Sequence, residues 1–226
     1  MKATITVVFL FMSLSALRAQ RDVDAGTEGI TENSPYLFPA WNRGVVHFKT
    51  GDSRETLLNY NVLFQQMIFN DGKSMLALDK LPTIDTVRIA GRKFVVVDTI
   101  FYEVASASAA VPLYIHYRAQ LVLAGTNIGF GSSNQTAPSE NLESFRIGNV
   151  TPYDTKIPDK YKVERQVEFL VKKKDGFLVL TGAKQLGDVF PGKEKMIRQY
   201  MRDHEIAWGK VEDMEKLFVF CNVSMQ

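Results

Sequence analysis

The sequence predicts an α+β fold, mainly an antiparallel β-meander sheet or a partly closed barrel, with two C-terminal helices packed on it. From about residue 37 to about residue 185, apolar residues alternate with period two, and turn sequences such as Asp71-Gly72 separate the runs. This pattern is typical of strands joined by hairpins. Near residue 190 the apolar spacing changes to three and four residues, which indicates amphipathic helices. Because an apolar sheet face must be buried against a second layer, we expect the helices to cover one side of the sheet.

The first strands are predicted from alternation and from turn residues. A strand over 44–49 leads through Gly51-Asp52 into a second strand over 56–60. The sequence Asn70-Asp71-Gly72-Lys73 separates two apolar runs and predicts a hairpin, because Asp and Gly tolerate the positive φ of a tight turn. The pair Gly91-Arg92 predicts another hairpin in the same way.

The longest alternation runs from Val111 to Leu123 and gives one apolar face and one mostly polar face. A segment of this length is too long for one flat strand, so we expect a bend or bulge within it. Two further strands are predicted over 163–171 and 177–181. The lysine run at 172–174 lies beside the Asp-Gly turn that joins them, and we interpret it as a solvated hairpin tip.

Two helices are predicted at the end of the chain. The first follows Pro191, which suits a first helical turn, and its apolar face contains Met196, Ile197, Tyr200 and Met201. The second is predicted from Glu212 to Cys221. Its inward face contains Met214, Leu217, Phe218 and Cys221.

The first residues have the layout of a secretory signal peptide. Lys2 precedes an apolar run of about a dozen residues, too short to span a bilayer, and the run ends in small residues before Ala19. The expected organisation is a signal peptide over 1–19, a flexible leader over 20–36 and a single α+β domain over 37–226, β-rich over 37–185 and helical over 186–226. We therefore expect export to the periplasm or the extracellular space, with a soluble chain after cleavage near Ala19.

The charge of the chain argues against nucleic acid as a partner. The full sequence carries 27 Lys and Arg against 25 Asp and Glu, a formal net charge of +2. Lys2 and Arg18 lie in the signal peptide, which contains no acid, so the expected mature chain has 25 residues of each sign. A neutral chain gives no electrostatic reason to bind nucleic acid or an anionic membrane.

Motifs for common catalytic chemistry are missing from the sequence. His47, His116 and His204 lie far apart, none has a partner at metal-ligand spacing, and a single Cys cannot build a structural zinc site. We expect His47 and His116 to be surface histidines on polar strand faces. Cys221 lies among apolar residues and is interpreted as a buried small residue rather than a nucleophile. No nucleotide fingerprint is present, so no cofactor is expected.

Two kinds of site need no local motif and stay open. A hydrolase could use paired carboxylates, for which Asp85, Asp98 and Glu103 are the candidates, although exposed strand-end charge is the simpler interpretation. A sugar platform could use aromatic side chains, although core packing is the simpler interpretation of these as well. The aromatic candidates are Tyr36, Phe38, Trp41, Phe101, Tyr102, Tyr114 and Tyr117.

Residues 124–143 lack either period and are rich in Gly, Ser and Asn. Loops of this length are uncommon in compact domains and are usually functional or disordered, and both interpretations stay open. The candidate residues for ligand or partner binding come from this loop and from the long alternating segment. They are Asn127, Phe130, Asn134, Tyr114 and His116.

Several runs resemble uncharacterised exported β-rich proteins of Bacteroidota-type bacteria. The matching runs are Gly44 to Gly51, Leu58 to Asn61, Arg88 to Phe94, Phe101 to Glu103 and Phe190 to Lys193. The resemblance implies a bacterial cell-envelope setting, and no catalytic residue can be carried over from it. The missing catalytic motifs and the long loop at 124–143 lead to the first functional hypothesis, a non-enzymatic envelope protein that binds or scaffolds a protein partner. The alternatives are a small-ligand or glycan binder that uses the concave sheet face and, less favoured, a carboxylate-dependent hydrolase.

Overall fold

The structure is a computed structural model, and it describes residues 33–106, 109–124, 157–174 and 176–224. The predicted signal peptide, most of the predicted leader and most of the 124–143 loop lie outside these residues. Within the described residues, ten strands form one antiparallel sheet, which confirms the predicted α+β meander fold. The strands are β1 Asn42–Phe48, β2 Ser53–Asn61, β3 Gln66–Asn70, β4 Met75–Ala77, β5 Ile84–Ile89, β6 Arg92–Val97, β7 Ile100–Val104, β8 Tyr114–Leu123, β9 Tyr161–Lys173 and β10 Gly176–Leu180.

The sheet consists of two meanders joined along one seam. Its strand order is β10-β9-β8-β7-β6-β5-β1-β2-β3-β4. Every paired strand is therefore a sequence neighbour except at the contact between β1 and β5, where Val46 lies opposite Val87. The register shifts between His47 and Phe48, which marks a bulge at the end of this seam.

The sheet curls strongly but does not close. Tyr60 of β2 stacks on Phe94 of β6 and meets Phe101 of β7 edge to face, with ring centroids 6.1 and 6.3 Å away. The curl brings the end of β2 close to β8, where the amide of Ala119 donates to the carbonyl of Val62 at 2.9 Å. The concave side of the sheet, which we call the inner face, is therefore filled with large side chains.

The position of Gly44 in the middle of β1 is explained by how closely its neighbours approach. A Cβ added at Gly44 would lie 2.6 Å from the carbonyl oxygen of Arg88 and 2.7 Å from a methyl carbon of Leu58. Neither distance is compatible with ordinary van der Waals contact. Glycine therefore lets β2 and β5 pack around β1.

Residues 33–38 lie across the open end of the curl. The amide of Leu37 donates to the carbonyl of Tyr60, and the amide of Val62 donates to the carbonyl of Pro35, each at 2.8 Å. At the start of this segment, the side chain of Asn33 donates to the carbonyl of Tyr161 at 2.8 Å and accepts from the amide of Val163 at 2.7 Å. Residues 33–36, the described part of the predicted leader, thus connect β2 to β9.

Three helices follow the sheet: α1 Ala183–Val189, α2 Glu194–Asp203 and α3 Val211–Val223. The sequence predicted the second and third. It did not predict α1, because seven residues give too few turns for a helical period to emerge. The α3 side chains predicted to face inward, Met214, Leu217, Phe218 and Cys221, are all fully buried.

The alternating segment over 111–123 forms a strand only from Tyr114 onward, where β8 begins. Leu113 is nevertheless fully buried, and its carbonyl accepts from the amide of Ala105 at 3.0 Å. The predicted faces are correct as far as Leu121: Ile115, Tyr117 and Leu121 are buried on the inner face, and Arg118 and Gln120 are exposed on the other side. We call this other side the outer face. Leu123, predicted to lie on the apolar face, is 45% exposed at the end of the strand.

Candidate functional site

A cluster of aromatic side chains lies on the outer face where β7, β8 and β10 come together. The rings of Tyr102 and Phe177 stack with centroids 4.5 Å apart, and Tyr114 meets Phe177 edge to face at 5.1 Å. All three side chains are half-buried. Leu170 of β9, also on this face, is buried. We call Tyr102, Tyr114 and Phe177 the outer aromatic surface.

A polar network borders the outer aromatic surface. His116 lies beside Tyr102, with ring centroids 5.3 Å apart. Its Nδ1 lies 3.0 Å from a carboxylate oxygen of Glu168, and its Nε2 lies 2.9 Å from the amide oxygen of Gln65. Arg118 binds the other oxygen of Glu168 at 2.7 Å. The network fixes His116 from both ring nitrogens and connects β8, β9 and the β2–β3 turn.

His116 is buried, contrary to the expectation of a surface histidine. It alternates with inward residues as predicted, but the ring of Tyr102 and the side chain of Gln65 cover it on the outer face. Gln65 reaches it from a backbone with φ of 55°, a left-handed conformation that is uncommon outside glycine. Pattern reasoning cannot detect this coverage, because Gln65 is 51 residues away in the chain.

A second group of charged residues lies on the inner face. Both carboxylate oxygens of Glu103 accept from Arg92, and the hydroxyl of Tyr117 donates to Glu103 at 2.7 Å. The guanidinium of Arg92 also lies over the rings of Phe38 and Tyr117, at 5.2 and 5.0 Å from their centroids. We call Arg92, Glu103 and Tyr117 the inner ion cluster.

Burial and charge change the proton affinities in this cluster. Burial raises the pKa of Tyr117, and the nearby charge of Glu103 raises it further. Burial alone would lower the pKa of Arg92, but its hydrogen bond to Glu103 and the proximity of Tyr117 hold that pKa above its ordinary value. Arg92 therefore stays charged and Tyr117 stays protonated, as expected of a structural ion pair.

Helix α3 brings one more carboxyl group close to the inner ion cluster. Partial burial raises the pKa of Glu215, and the negative charge of Glu103 raises it further. Arg92 acts in the opposite direction but more weakly. Glu215 is therefore protonated more readily in the folded state than an ordinary glutamate is.

The predicted carboxylates do not form a catalytic pair in this arrangement. Glu103 is 4% exposed with both oxygens occupied, whereas it was expected to be a strand-end charge. Asp85 is exposed on β5, and Asp98 is exposed in the turn between β6 and β7 with φ of 57°. The signal for burial of Glu103 is its parity, because it shares the apolar face of β7 with Phe101.

The other predicted site residues are separated or lie outside the described residues. Tyr114 and His116 come together at the outer aromatic surface, whereas Asn127, Phe130 and Asn134 lie outside the described residues. Sequence reasoning missed Phe177, Glu168, Arg118 and Gln65 as members of this region, since strands far apart in the chain bring them together. Cys221 is buried against the core, and burial raises the pKa of its thiol to about 12, which fits an apolar role.

Within the described part of the chain, no three His, Cys, Asp or Glu side chains are grouped closely enough to hold a metal ion. Among the same residues, no helix combines the length and apolar character needed to cross a membrane.

The fold and this surface define an α+β protein with a curled ten-stranded meander sheet, an outer aromatic surface and a helical cover. No family model matches the chain, and no curated protein or solved structure is significantly similar to it.

Proposed function

We propose that this chain is an exported, non-enzymatic protein of the bacterial cell envelope that binds a protein partner through the outer aromatic surface. The observation that carries the proposal is the half-buried group of Tyr102, Tyr114 and Phe177, which is bordered through His116 by the polar network that contains Arg118. Aromatic side chains and arginine are the residues most enriched at the energetic centres of protein interfaces.

The surroundings of this surface support recognition rather than catalysis. His116 and Glu168 hold each other and are further fixed by Gln65 and Arg118, so the polar margin is preorganised. A rigid margin lowers the entropy cost of ordering side chains when a partner binds. Export is supported by the layout of the first 19 residues, and the cell-envelope setting by the resemblance to exported proteins.

The experiment is crosslinking of the tagged mature protein in its native envelope, followed by identification of the captured protein. We expect one partner to be captured by the wild type and lost from the Tyr102→Ser/Phe177→Ser double variant. Arg88→Ser, an exposed change on β5 of the same sheet, is the matched control and should retain the partner. Equal capture by all three proteins would contradict the assignment of this surface.

The loop at 124–143 is the second place where a partner could bind. Deletion of residues 126–142 separates the two contacts: if the partner is retained, then Asn127, Phe130 and Asn134 do not form the contact. Loss on deletion together with retention in the double variant would move the proposed site to the loop.

A glycan is the alternative ligand, and the outer aromatic surface is the place that favours it. Large side chains fill the concave inner face, so we assign the sugar contact to the half-buried rings of Tyr102, Tyr114 and Phe177 on the outer face. The polar network that borders these rings keeps hydrogen-bonding capacity, because Arg118 has five N–H donors and one of its nitrogens binds Glu168. Binding of purified envelope polysaccharide to the wild type, with loss in the double variant, would favour this alternative over a protein partner.

A hydrolase that uses Asp98 or Glu103 has the least support. Both carboxylate oxygens of Glu103 accept hydrogen bonds from Arg92 or Tyr117, and the residue is buried in the core. A group in this position cannot contact a substrate without disruption of the inner ion cluster.

A further inference from the structure

Over the middle of β9, the edge on the β10 side has no strand partner among the residues that the structure describes. β9 has 13 residues, but β10 pairs only with its last part, from Phe169 to Lys173. No described residue pairs with the backbone of 164–168 on this side. The other side of β9 is fully paired with β8 from Tyr161 to Leu170.

Strand parity identifies which backbone groups point outward along this edge. Asn33 bonds to the carbonyl of Tyr161 and the amide of Val163, so these odd-numbered positions face away from β8. Alternate residues of an antiparallel strand direct both of their backbone groups to the same side. The N–H and C=O groups of Arg165 and Val167 therefore also point outward, and none of these two donors and two acceptors pairs with a described strand.

At one end of this edge, the side chain of Asn33 makes the hydrogen bonds that a neighbouring strand would make. The side-chain amide of Asn33 donates and accepts as a peptide group would, at 2.8 and 2.7 Å. Beyond it, the guanidinium of Arg165 turns away to bind the carbonyls of Ser34 and Tyr36, at 3.1 and 2.7 Å. The exposed edge thus begins next to Asn33 and ends where β10 joins at Phe169.

We propose that this edge, which we call the β9 slot (residues 164–168), binds an extended segment of a protein partner as an added strand. Extended backbone is the chemical partner that satisfies alternating donors and acceptors along a strand edge. At about 3.3 Å per residue, the slot takes about five residues. The proposal specifies the form of the partner in the proposed function and therefore depends on that partner being a protein.

The position of the β9 slot fits this role. Gln166 and Glu168 lie on the outer face along the slot, and Glu168 belongs to the polar network beside the outer aromatic surface. Every second side chain of an added strand would point to the outer face beside these residues. One partner segment could therefore contact the slot by its backbone and the outer aromatic surface by its side chains.

The probe is a set of linear peptides of about ten residues, selected from a random phage-displayed library on the immobilised mature protein. We expect a selected peptide to slow amide exchange at Arg165 and Val167, measured by NMR. The peptide is then N-methylated at one residue at a time. We expect methylation at every second position to abolish binding and methylation at the positions between to leave the affinity unchanged, because only one side of an added strand bonds to β9.

The matched variants are Val167→Pro and Val167→Ala. Proline removes the outward N–H, which edge strands tolerate, whereas alanine trims the side chain and keeps the N–H. We expect peptide affinity to fall roughly tenfold in Val167→Pro and to change by about twofold or less in Val167→Ala. If Val167→Pro does not fold, binding of the N-methylated peptides to the wild-type protein still tests the proposal.

Three results would overturn the proposal: no peptide selected, peptide binding without the two-residue periodicity, or slow exchange at Arg165 and Val167 in the free protein. The last would mean that the chain itself or a second copy covers the slot, and a light-scattering mass would separate these two cases. Loss of the envelope partner from Tyr102→Ser/Phe177→Ser but not from Val167→Pro would uphold the outer aromatic surface and reject the slot. The reverse result would uphold the slot alone.

Discussion

At the scale of single residues, the inner ion cluster has the largest energetic consequences. Glu103 and Arg92 are taken out of water together, and Tyr117 completes the hydrogen bonds of the carboxylate. Such a pair is costly to break, because the remaining charge loses its partner while it is only partly in contact with water. Its removal as a pair is less costly than removal of either member.

Glu103→Ala should therefore destabilise the protein by about 2–4 kcal/mol, a range reduced from that of fully buried pairs because Arg92 is partly exposed. The free energy of unfolding in urea measures this. Glu55→Ala is the control, since Glu55 forms an exposed ion pair with Arg43 at 3.7 Å and should change stability by less than about 1 kcal/mol. Equal losses in the two variants would contradict a special role for the inner ion cluster.

Glu215 should give the protein a distinct pH dependence. Its pKa is higher in the folded protein than the ordinary 4.5, because of partial burial and then Glu103. The folded state therefore binds this proton more tightly than the unfolded state does. The ionised form is a cost to stability above the folded pKa, and the cost disappears as the pH falls through that pKa.

We expect Glu215→Gln to raise the urea midpoint at pH 7, with a gain that shrinks as the pH falls towards 4.5. Urea titrations at several pH values measure it. Glu205→Gln, an exposed change after α2, is the control and should show no such trend. A gain that grows on acidification would mean that the sign of the shift at Glu215 is wrong.

At the scale of elements, β1 is the strand that tolerates change least, because it forms the seam between the two meanders. Gly44→Ala would drive a methyl group into the carbonyl of Arg88 and the side chain of Leu58. We expect a loss of about 1–3 kcal/mol in the free energy of unfolding, as for other overpacked sites.

Gly182→Ala provides the comparison for this prediction. A Cβ at Gly182 would meet only the amide oxygen of Gln185, at 3.7 Å, and the backbone there is extended. This variant should be close to neutral in the same urea experiment. If Gly44→Ala were equally neutral, the packing of β2 and β5 around β1 would have to be looser than the structure indicates.

At the scale of the whole molecule, α3 covers the inner face of the sheet and belongs to the same core. Its four inward side chains are fully buried, and Asn222 accepts from the amide of Val111 at 2.8 Å. A chain ending at residue 210 would expose this apolar surface of the sheet. We expect it to lose cooperative unfolding and to aggregate, whereas a chain ending at residue 224 should unfold like the full protein; circular dichroism melts measure both.

Much of the architecture was predictable because its signals are local. The Asp71-Gly72 turn, the alternation through Ile115 and Tyr117, and the helical spacing in α3 each lie within a few residues of the chain. The seam between β1 and β5 was not predictable, because both strands have suitable patterns for several neighbours. The burial of His116 was not predictable either, since it depends on Gln65, a residue brought close only by the curl of the sheet.

The seam also has a consequence for how this chain folds. Except between β8 and β9, whose facing ends Leu123 and Tyr161 are far apart in the chain, each meander is built from hairpins that form quickly because the loops to be closed are short. The seam and the contact between Ala119 and Val62 bring together residues that are distant in the chain. We therefore expect the short hairpins to form early and the seam to set the rate, so that substitutions along β1 slow refolding more than substitutions in β6 and β7.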